Sequence, residues 1–482
     1  MITHIKYYKK TEKGTKYMQE DILTILGNVL TAIRPTQEER DELAELSHRV
    51  CGYIREEGVR CEIVGSAARK TWISGAHDLD LFIMLSTDLT REELETEGLR
   101  IAKLVADRAD SYEKRYAEHP YIHARFDDCR VDLVPCYQIT SPKEMRSAVD
   151  RTPFHNQYVI PRISGLEDEV LLLKQFMKCA QVYGSELRIR GFSGFLCELL
   201  IIHYGSFLEV IEAACNWRDG LLIEPEVATS QRARQNAHYS ASGGVWEPLF
   251  VIDPTDPNRN VAAALSLDQF YTFVDAARTF LVEPSIECFF SKPAKPVCKS
   301  EIVAAMDARG TDLLAISFEI PDMVEDIVYP QLYKMRQSVI GLLDENDFTV
   351  LGSAIGIHSA NKTTDNVMLL IELVSGDLPA LRKHVGPPAY MRSHAERFKS
   401  KFVNNDAFSN VYIENGQYMV DIHRRYTSAK HLLESELHSC ALGKQMREHI
   451  RAGYGVFEGK EIADTFDLEF LNGYFTNKIG VK

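Results

Sequence analysis

The sequence has few of the features that mark membrane, secreted or zinc-ribbon proteins. Its 482 residues contain no run of about 18 apolar residues, so neither a membrane-spanning helix nor a membrane partner is expected. The opening stretch, MITHIKYYKKTEKGTKYMQEDILTIL, is basic but lacks an apolar core followed by a small-residue cleavage site, and so does not read as a secretory signal. Residues 1–17 are expected to form a flexible basic tail. There are ten cysteines, yet no two form a C-x-x-C pair, which argues against a zinc ribbon and against a disulfide framework. Free thiols acting as small core residues in a reducing cytoplasm are expected. An excess of positive charge is also missing: 55 Lys+Arg stand against 69 Asp+Glu, a net charge of −14. That weighs against non-specific duplex binding but leaves room for a local basic groove. Internal repeats and low-complexity segments are absent as well.

The chain is otherwise of ordinary globular composition, with 45% hydrophobic and 26% charged residues. At roughly 100–200 residues per domain its length suggests about three domains. Residues 21–58 show helical spacing in two runs, Ile22 to Ile33 and Leu43 to Ile54, separated by Pro35. Short strands are expected at Cys61–Val64, Leu79–Leu85 and Arg130–Tyr137, with a helix over Arg91–Ala109 before the last. Residues 155–280 read as mainly helical, over Leu166–Tyr183, Gly191–Leu208 and Leu267–Val282. Glu283-Pro284-Ser285 and the proline-rich Lys292–Pro296 mark a boundary, because proline denies a backbone donor and fixes φ. Beyond it the pattern returns to α/β, with strands at Leu313–Ile320, Val367–Val374 and Tyr418–His423 and a long helix over Val324–Leu343. Arg382–Lys401 is rich in Arg, Lys and His and reads as a solvated helix face or an RNA contact. The expected fold is a multidomain α+β protein.

The chemistry lies in Gly65–Phe82. Gly65-Ser66 ends a strand and opens a helix, where a glycine lets a phosphate approach the backbone and the first N–H groups are free. Ser66 adds a hydroxyl, and Arg69 follows one turn on, in reach of a phosphate. Asp78 and Asp80 stand two apart on an apolar strand, so both carboxylates point to one face. Carboxylates so placed repel unless a cation lies between them, and Mg²⁺ takes hard oxygen ligands while keeping positions open for phosphates. Asp132 opens a further apolar strand. Each element alone has a bland reading, as a turn, a polar strand edge or a strand-end cap. The ordered set is specific, since nucleotidyl transfer uses two ions about 4 Å apart and three carboxylates on adjacent strands can flank them.

With these residues in view, the chain resembles the archaeal-type (class I) CCA-adding enzymes, tRNA nucleotidyltransferases of the DNA polymerase β-like superfamily. The resemblance is carried by Gly65–Phe82, Arg115–Tyr121, Val131–Tyr137, Ala148–His155, Val182–Gly184, Arg190–Leu200 and Asp253–Ser266, in that order over roughly residues 18–285, and more weakly to Leu442-Gly443-Lys444. It implies a nucleotidyltransferase head with a mixed sheet (18–152), a helical central domain that recognises the base (153–284) and an α/β C-terminal body and tail that binds the tRNA acceptor arm (285–482). It implies that Asp78, Asp80 and Asp132 hold two Mg²⁺ ions. Gly65, Ser66, Arg69, His155, Lys174, Tyr183 and Arg259 would contact ATP or CTP, with Arg259 shaping the base-selecting pocket. Arg382, Lys383, Arg392, Arg397, Lys399 and Lys401 are the candidate tRNA contacts. Members are commonly homodimers.

The implied activity is addition and repair of the tRNA 3′-terminal CCA from CTP and ATP, without a nucleic-acid template. The sequence departs from the family at Asp78, where Glu is usual, and at Ala67, where Tyr is commoner. Asp keeps the charge and oxygen ligands, so activity is expected to survive with altered metal preference. Read without the family, Lys174 is a snorkelling lysine, His155 a loop histidine, Tyr183 a core residue and Arg259 a surface residue, and Trp72 is core in either reading. Two alternatives stand beside this one. The first is a superfamily member with another substrate, such as a poly(A) polymerase, an oligoadenylate synthetase or a small-molecule nucleotidyltransferase. The second is an inactive RNA-binding scaffold, which retention of all three acids disfavours.

Overall fold

The computed structural model describes residues 12–76, 78–116, 120–225, 247–290, 297–321, 323, 325–359, 364–403 and 407–478. Residues 1–11 of the expected tail lie outside that range. The chain divides into two compact units, Met1–Pro293 and Ala294–Lys482. The expected mixed α+β architecture is what the structure shows.

The first unit begins with two helices, α1 (Glu12–Ile33) and α2 (Gln37–Glu56), parted by Pro35. Thr36 starts α2 by a reciprocal cap: its hydroxyl accepts from Glu39 N at 3.1 Å and its N–H donates to Glu39 Oε2 at 2.7 Å. There follow β1 (Arg60–Val64), the single turn α3 (Gly65–Arg69), β2 (Asp78–Leu85), α4 (Arg91–Ala106), β3 (Ser111–Tyr116), β4 (Pro120–Phe126) and β5 (Cys129–Tyr137). They form a five-stranded sheet in the order β1-β2-β5-β4-β3, with β2 and β5 parallel and the other pairs antiparallel. Leu79, Leu81 and Ile83 of β2 and Val131 and Leu133 of β5 are buried in one core with Val50 and Ile54 of α2 and Leu94, Ile101 and Val105 of α4. Trp72 joins them. Strand alternation then turns Asp78, Asp80 and Asp132 to the opposite face.

Two expectations are corrected here. The helix expected to reach Ala109 stops at Ala106. The segment after it forms the β3–β4 hairpin, which the sequence hides because Ser-Tyr-Glu-Lys-Arg-Tyr has no apolar run and lies at the sheet edge.

The chain continues with α5 (Thr152–Ile163), α6 (Glu167–Cys179), α7 (Gly194–Tyr204), α8 (Phe207–Ala214), β6 (Leu221–Ile223), β7 (Leu249–Asp253), β8 (Asp256–Asn260) and α9 (Leu267–Val282). Phe176 meets the rings of Phe207, Phe273, Phe280 and Phe289 edge-on at 5.6–6.2 Å. Ile22, Leu26, Val29 and Ile33 of α1 enter the same core. Two helices are shorter than the sequence pattern suggests. One ends at Cys179, just before Gln181 takes φ +59°, and the other ends at Tyr204, capped by Gly205 with φ +98°. The small sheet β6-β7-β8 interrupts a stretch expected to be mainly helical.

The second unit contains α10 (Lys299–Arg309), β9 (Asp312–Pro321), α11 (Glu325–Glu345), β10 (Val350–Ser359), β11 (Thr364–Leu373), β12 (Leu381–Pro388), α12 (Arg392–Phe402), β13 (Tyr412–Glu414), β14 (Gln417–His423), α13 (Ala429–Glu436), α14 (Lys444–Ala452), β15 (Gly455–Glu458), α15 (Glu461–Thr465) and α16 (Leu468–Lys478). One antiparallel sheet runs β10-β11-β9-β15 and a smaller one β12-β14-β13. The expected strands reappear as β9, β11 and β14 and the long helix as α11, whereas β10 and β12 were not anticipated. Arg382–Lys401 is therefore not one helix face. Leu381–Pro388 is a strand, since Gly386-Pro387-Pro388 cannot continue a helix, and the helix begins only at Arg392. Among the described residues no single helix is long and apolar enough to cross a membrane.

Candidate active site

Parallel pairing sets the acidic face. Asp80 of β2 stands in register with Asp132 of β5, and Asp78 with Arg130. Burial, and then the charges of Asp132 and Asp78, push the Asp80 carboxyl up to about 7, with Arg69 opposing. Gly65 makes room for it: at φ +70° a Cβ would fall 2.1 Å from Asp80 Oδ2. Asp78 Oδ1 is 2.6 Å from Arg130 Nε, and Asp132 Oδ1 is 2.5 Å from His123 Nδ1 on β4. So turned, the acids do not share a coordination sphere: among the described residues no three His, Cys, Asp or Glu side chains gather in metal-ligand geometry. The donor set itself suits a hard divalent cation, being three oxygen-bearing anions whose mutual repulsion is already visible at Asp80.

Beside the acids lies a buried polar network. Arg69, at the end of α3, is buried; its Nε donates to Asn156 Oδ1 at 2.9 Å and its Nη1 pairs with Glu198. Lys174 does not snorkel. It is buried, and its Nζ donates to Thr71 O at 2.8 Å and to Thr71 Oγ1 at 3.2 Å. Burial lowers its pKa, with Glu198 opposing. Tyr183 Oη lies 3.1 Å, and Lys174 Nζ 3.6 Å, from the point a Cβ on Gly194 would occupy, so both side-chain ends pack closely against the start of α7. Lys178, one turn beyond Lys174, holds its Nζ 5.5 Å from the Tyr183 ring centre.

His155 is a buried helix residue of α5, not a loop residue. Its ring stacks on Phe195 at 4.0 Å and its Nε2 donates to Asp253 Oδ2 at 2.9 Å. The other face of the cluster is Arg69, whose guanidinium carbon lies 5.6 Å from the Phe195 centre. Arg259, on β8 and 36% exposed, donates from Nη1 to the same Asp253 oxygen at 2.9 Å. Asp253 Oδ1 takes the Thr255 N–H and hydroxyl, both at 2.8 Å. Burial alone would raise the Asp253 pKa; the bonds from His155 and Thr255 hold it well below the carboxylate range.

Ser66, Arg69, the three acids, Lys174, Tyr183, His155 and Arg259 thus lie along one connected region of the first unit. Glu198, Asp253, Asn156 and His123 are structural partners the sequence reading left without roles. A signal existed for Glu198, a lone charge in the apolar helix Phe-Leu-Cys-Glu-Leu-Leu-Ile-Ile, and for Asp253, which closes the buried run Leu-Phe-Val-Ile-Asp.

Three family profiles match the chain. They are a nucleotidyltransferase domain at residues 46–155, the second domain of tRNA nucleotidyltransferase at 168–290 and the C-terminal domain of the CCA-adding enzyme at 309–459. The CCA-adding enzyme of Methanosarcina barkeri is 46% identical over 92% of this chain and 95% of its own. The chain belongs to the archaeal CCA-adding enzyme family. The Halobacterium salinarum enzyme is 37% identical over 93% of this chain and 97% of its own, and that of Haloarcula marismortui 35% over 96% and 100%. A solved RNA terminal U-transferase overlaps more loosely, with a TM-score of 0.45 at 12% identity over 57% of this chain and 100% of its own. The enzyme is a nucleotidyltransferase, and its Asp78-x-Asp80 strand falls inside the matched catalytic domain.

Proposed function

We propose that this CCA-adding enzyme builds and repairs the tRNA 3′ end from CTP and ATP, working at the acidic face of β2 and β5. The observation that supports this most is the register of Asp80 with Asp132 beside the Gly65–Ser66 turn. Asp78, Asp80 and Asp132 would hold divalent metal, two Mg²⁺ ions in this reading. When bound, the ions neutralise the triphosphate and lower the pKa of the attacking RNA 3′-hydroxyl. The protein's own task is positioning and charge complementarity. Ser66 and Arg69 face the phosphates, with Lys174 and Tyr183 behind them. His155 and Arg259, both fixed by Asp253, border the base. Selection of cytosine and adenine follows from hydrogen-bonding edges, because a wrong base leaves buried polar groups unpaired.

Residues 18–152 would act as catalytic head, 153–284 as base-recognising centre and 285–482 as acceptor-arm binder. An A-form stem hides its base edges, so tRNA is read through phosphates and 2′-hydroxyls. The helix α12 is the candidate surface. Its Arg392, Arg397 and Lys401 have no ion pair among the described residues, while Arg382 and Lys383 are engaged by Asp347 and Glu414 at 3.2 and 2.7 Å.

The test is direct. Purified enzyme, a tRNA truncated before its CCA, Mg²⁺ and each labelled nucleotide offered separately should give CMP and AMP incorporation and none from GTP or UTP. Substantial UMP addition, or long homopolymer products, overturns the reading in favour of another polymerase of the superfamily.

A further inference from the structure

Glu198 carries a buried charge to which nucleotidyl transfer assigns no task. It sits in the apolar middle of α7 and is 1% exposed. A carboxylate there is costly unless its oxygens are paired, and both are. Oε2 takes Arg69 Nη1, while Oε1 accepts the Thr71 hydroxyl at 2.7 Å and lies 4.0 Å from Lys174 Nζ. Lys174 in turn donates to the Thr71 carbonyl. One carboxylate therefore ties the end of the α3 turn, which follows β1 of the sheet, to α6 and α7 of the helical layer.

The consequence is directional. Arg69 has its Nε held by Asn156 and its Nη1 by Glu198, which fixes the plane of the guanidinium against Phe195. Its Nη2 edge has no protein partner among the described residues.

We propose that Glu198 is a positioning residue for nucleotide binding: it clamps Arg69 and Lys174 so that Arg69 presents its remaining edge to the triphosphate of the incoming nucleotide. This rests on the nucleotide reading of the site given above. A purely structural Glu198 would affect melting and little else.

The experiment compares wild type with Glu198→Gln, Arg69→Ala and the double variant, using truncated tRNA, Mg²⁺ and CTP. E198Q is expected to raise the CTP KM roughly tenfold to a hundredfold, the scale of a lost charge-assisted bond, with kcat and tRNA affinity little changed. R69A should do likewise, and the double variant should be no worse than R69A alone, because Glu198 acts through Arg69. An unchanged KM in E198Q, or fully additive effects in the double variant, overturns the inference. If E198Q fails to fold, Thr71→Val, which removes only a hydroxyl partner of Glu198, is read the same way. If the wild type itself incorporates no CMP, the functional reading fails. The positioning role is then judged by the CTP Kd of wild type against E198Q in calorimetry, where equal values refute it.

Discussion

His155 and Asp253 lie 98 residues apart in the sequence and 2.9 Å apart in the fold, and Arg259 reaches the same carboxylate oxygen. Asp253 is fully buried, so its charge is held only by these partners and Thr255. Replacing it with Ala should cost about 3–5 kcal/mol of unfolding free energy, as for other buried pairs broken from one side. Urea denaturation measures this, and a loss below about 1 kcal/mol would show that the network adds nothing. The milder Asp253→Asn variant should also misincorporate more GMP and UMP, because His155 and Arg259, the side chains proposed to border the base, lose their charged anchor.

Asp80→Ala should abolish CMP incorporation while tRNA binding persists. Filter binding and incorporation on the same preparation separate the two. A mutant adding CMP at a comparable rate removes Asp80 from the acidic site.

Gly65 is constrained twice, by φ +70° and by Asp80 Oδ2 at 2.1 Å from a would-be Cβ. Gly65→Ala is expected to cost about 1–2 kcal/mol from the left-handed backbone alone. It should also displace Asp80, lowering kcat/KM more than the stability loss explains. Wild-type kcat/KM in this variant would show that Asp80 has room to move.

In the second unit, Glu372 is buried and bonded by Arg309 Nε at 2.6 Å, Thr311 Oγ1 at 2.8 Å and Tyr474 Oη at 2.7 Å. Burial raises its pKa, but these three donors prevail and draw it down to about 2. A carboxyl depressed when folded stabilises above its unfolded pKa of about 4.3 and loses that contribution as pH falls towards the folded value. The contribution is on the order of 3 kcal/mol, lost between about pH 4.5 and 2. Stability against pH should therefore flatten over this window in Glu372→Gln. An unchanged slope assigns the acid sensitivity to other carboxylates.

If α12 meets RNA phosphates, neutralising Arg397 and Lys401 should weaken tRNA binding and reduce the salt slope by roughly 0.7–0.9 for each phosphate no longer neutralised. Arg382→Ala should do less, since Asp347 already pairs with that arginine. The opposite ranking places the RNA surface on β12 instead.

The catalytic sheet was largely legible because its strands alternate. Leu79, Leu81 and Ile83 form a period-two apolar row, and the aspartates fall between them. The edge strands β3 and β12 were not legible, because edge strands carry polar residues and give no such row, whereas β4 lies inside the sheet and does carry one in Ile122, Ala124 and Phe126. Helix ends were misjudged where a single residue with positive φ, Gln181 or Gly205, stops an otherwise continuous pattern.

The sequence by itself determined the chemistry: which acids share a strand face, where a glycine opens beside them, and, through long motifs, the family. These are local properties, set by the two-residue period of a strand and by backbone sterics. Only the tertiary structure decided the partners. That Lys174 is spent on Thr71, that Glu198 holds Arg69, and that His155 and Arg259 converge on Asp253 all depend on contacts between residues far apart in sequence. Such contacts arise because a buried charge must find its counter-charge wherever packing brings one, and spacing along the chain carries no record of that choice.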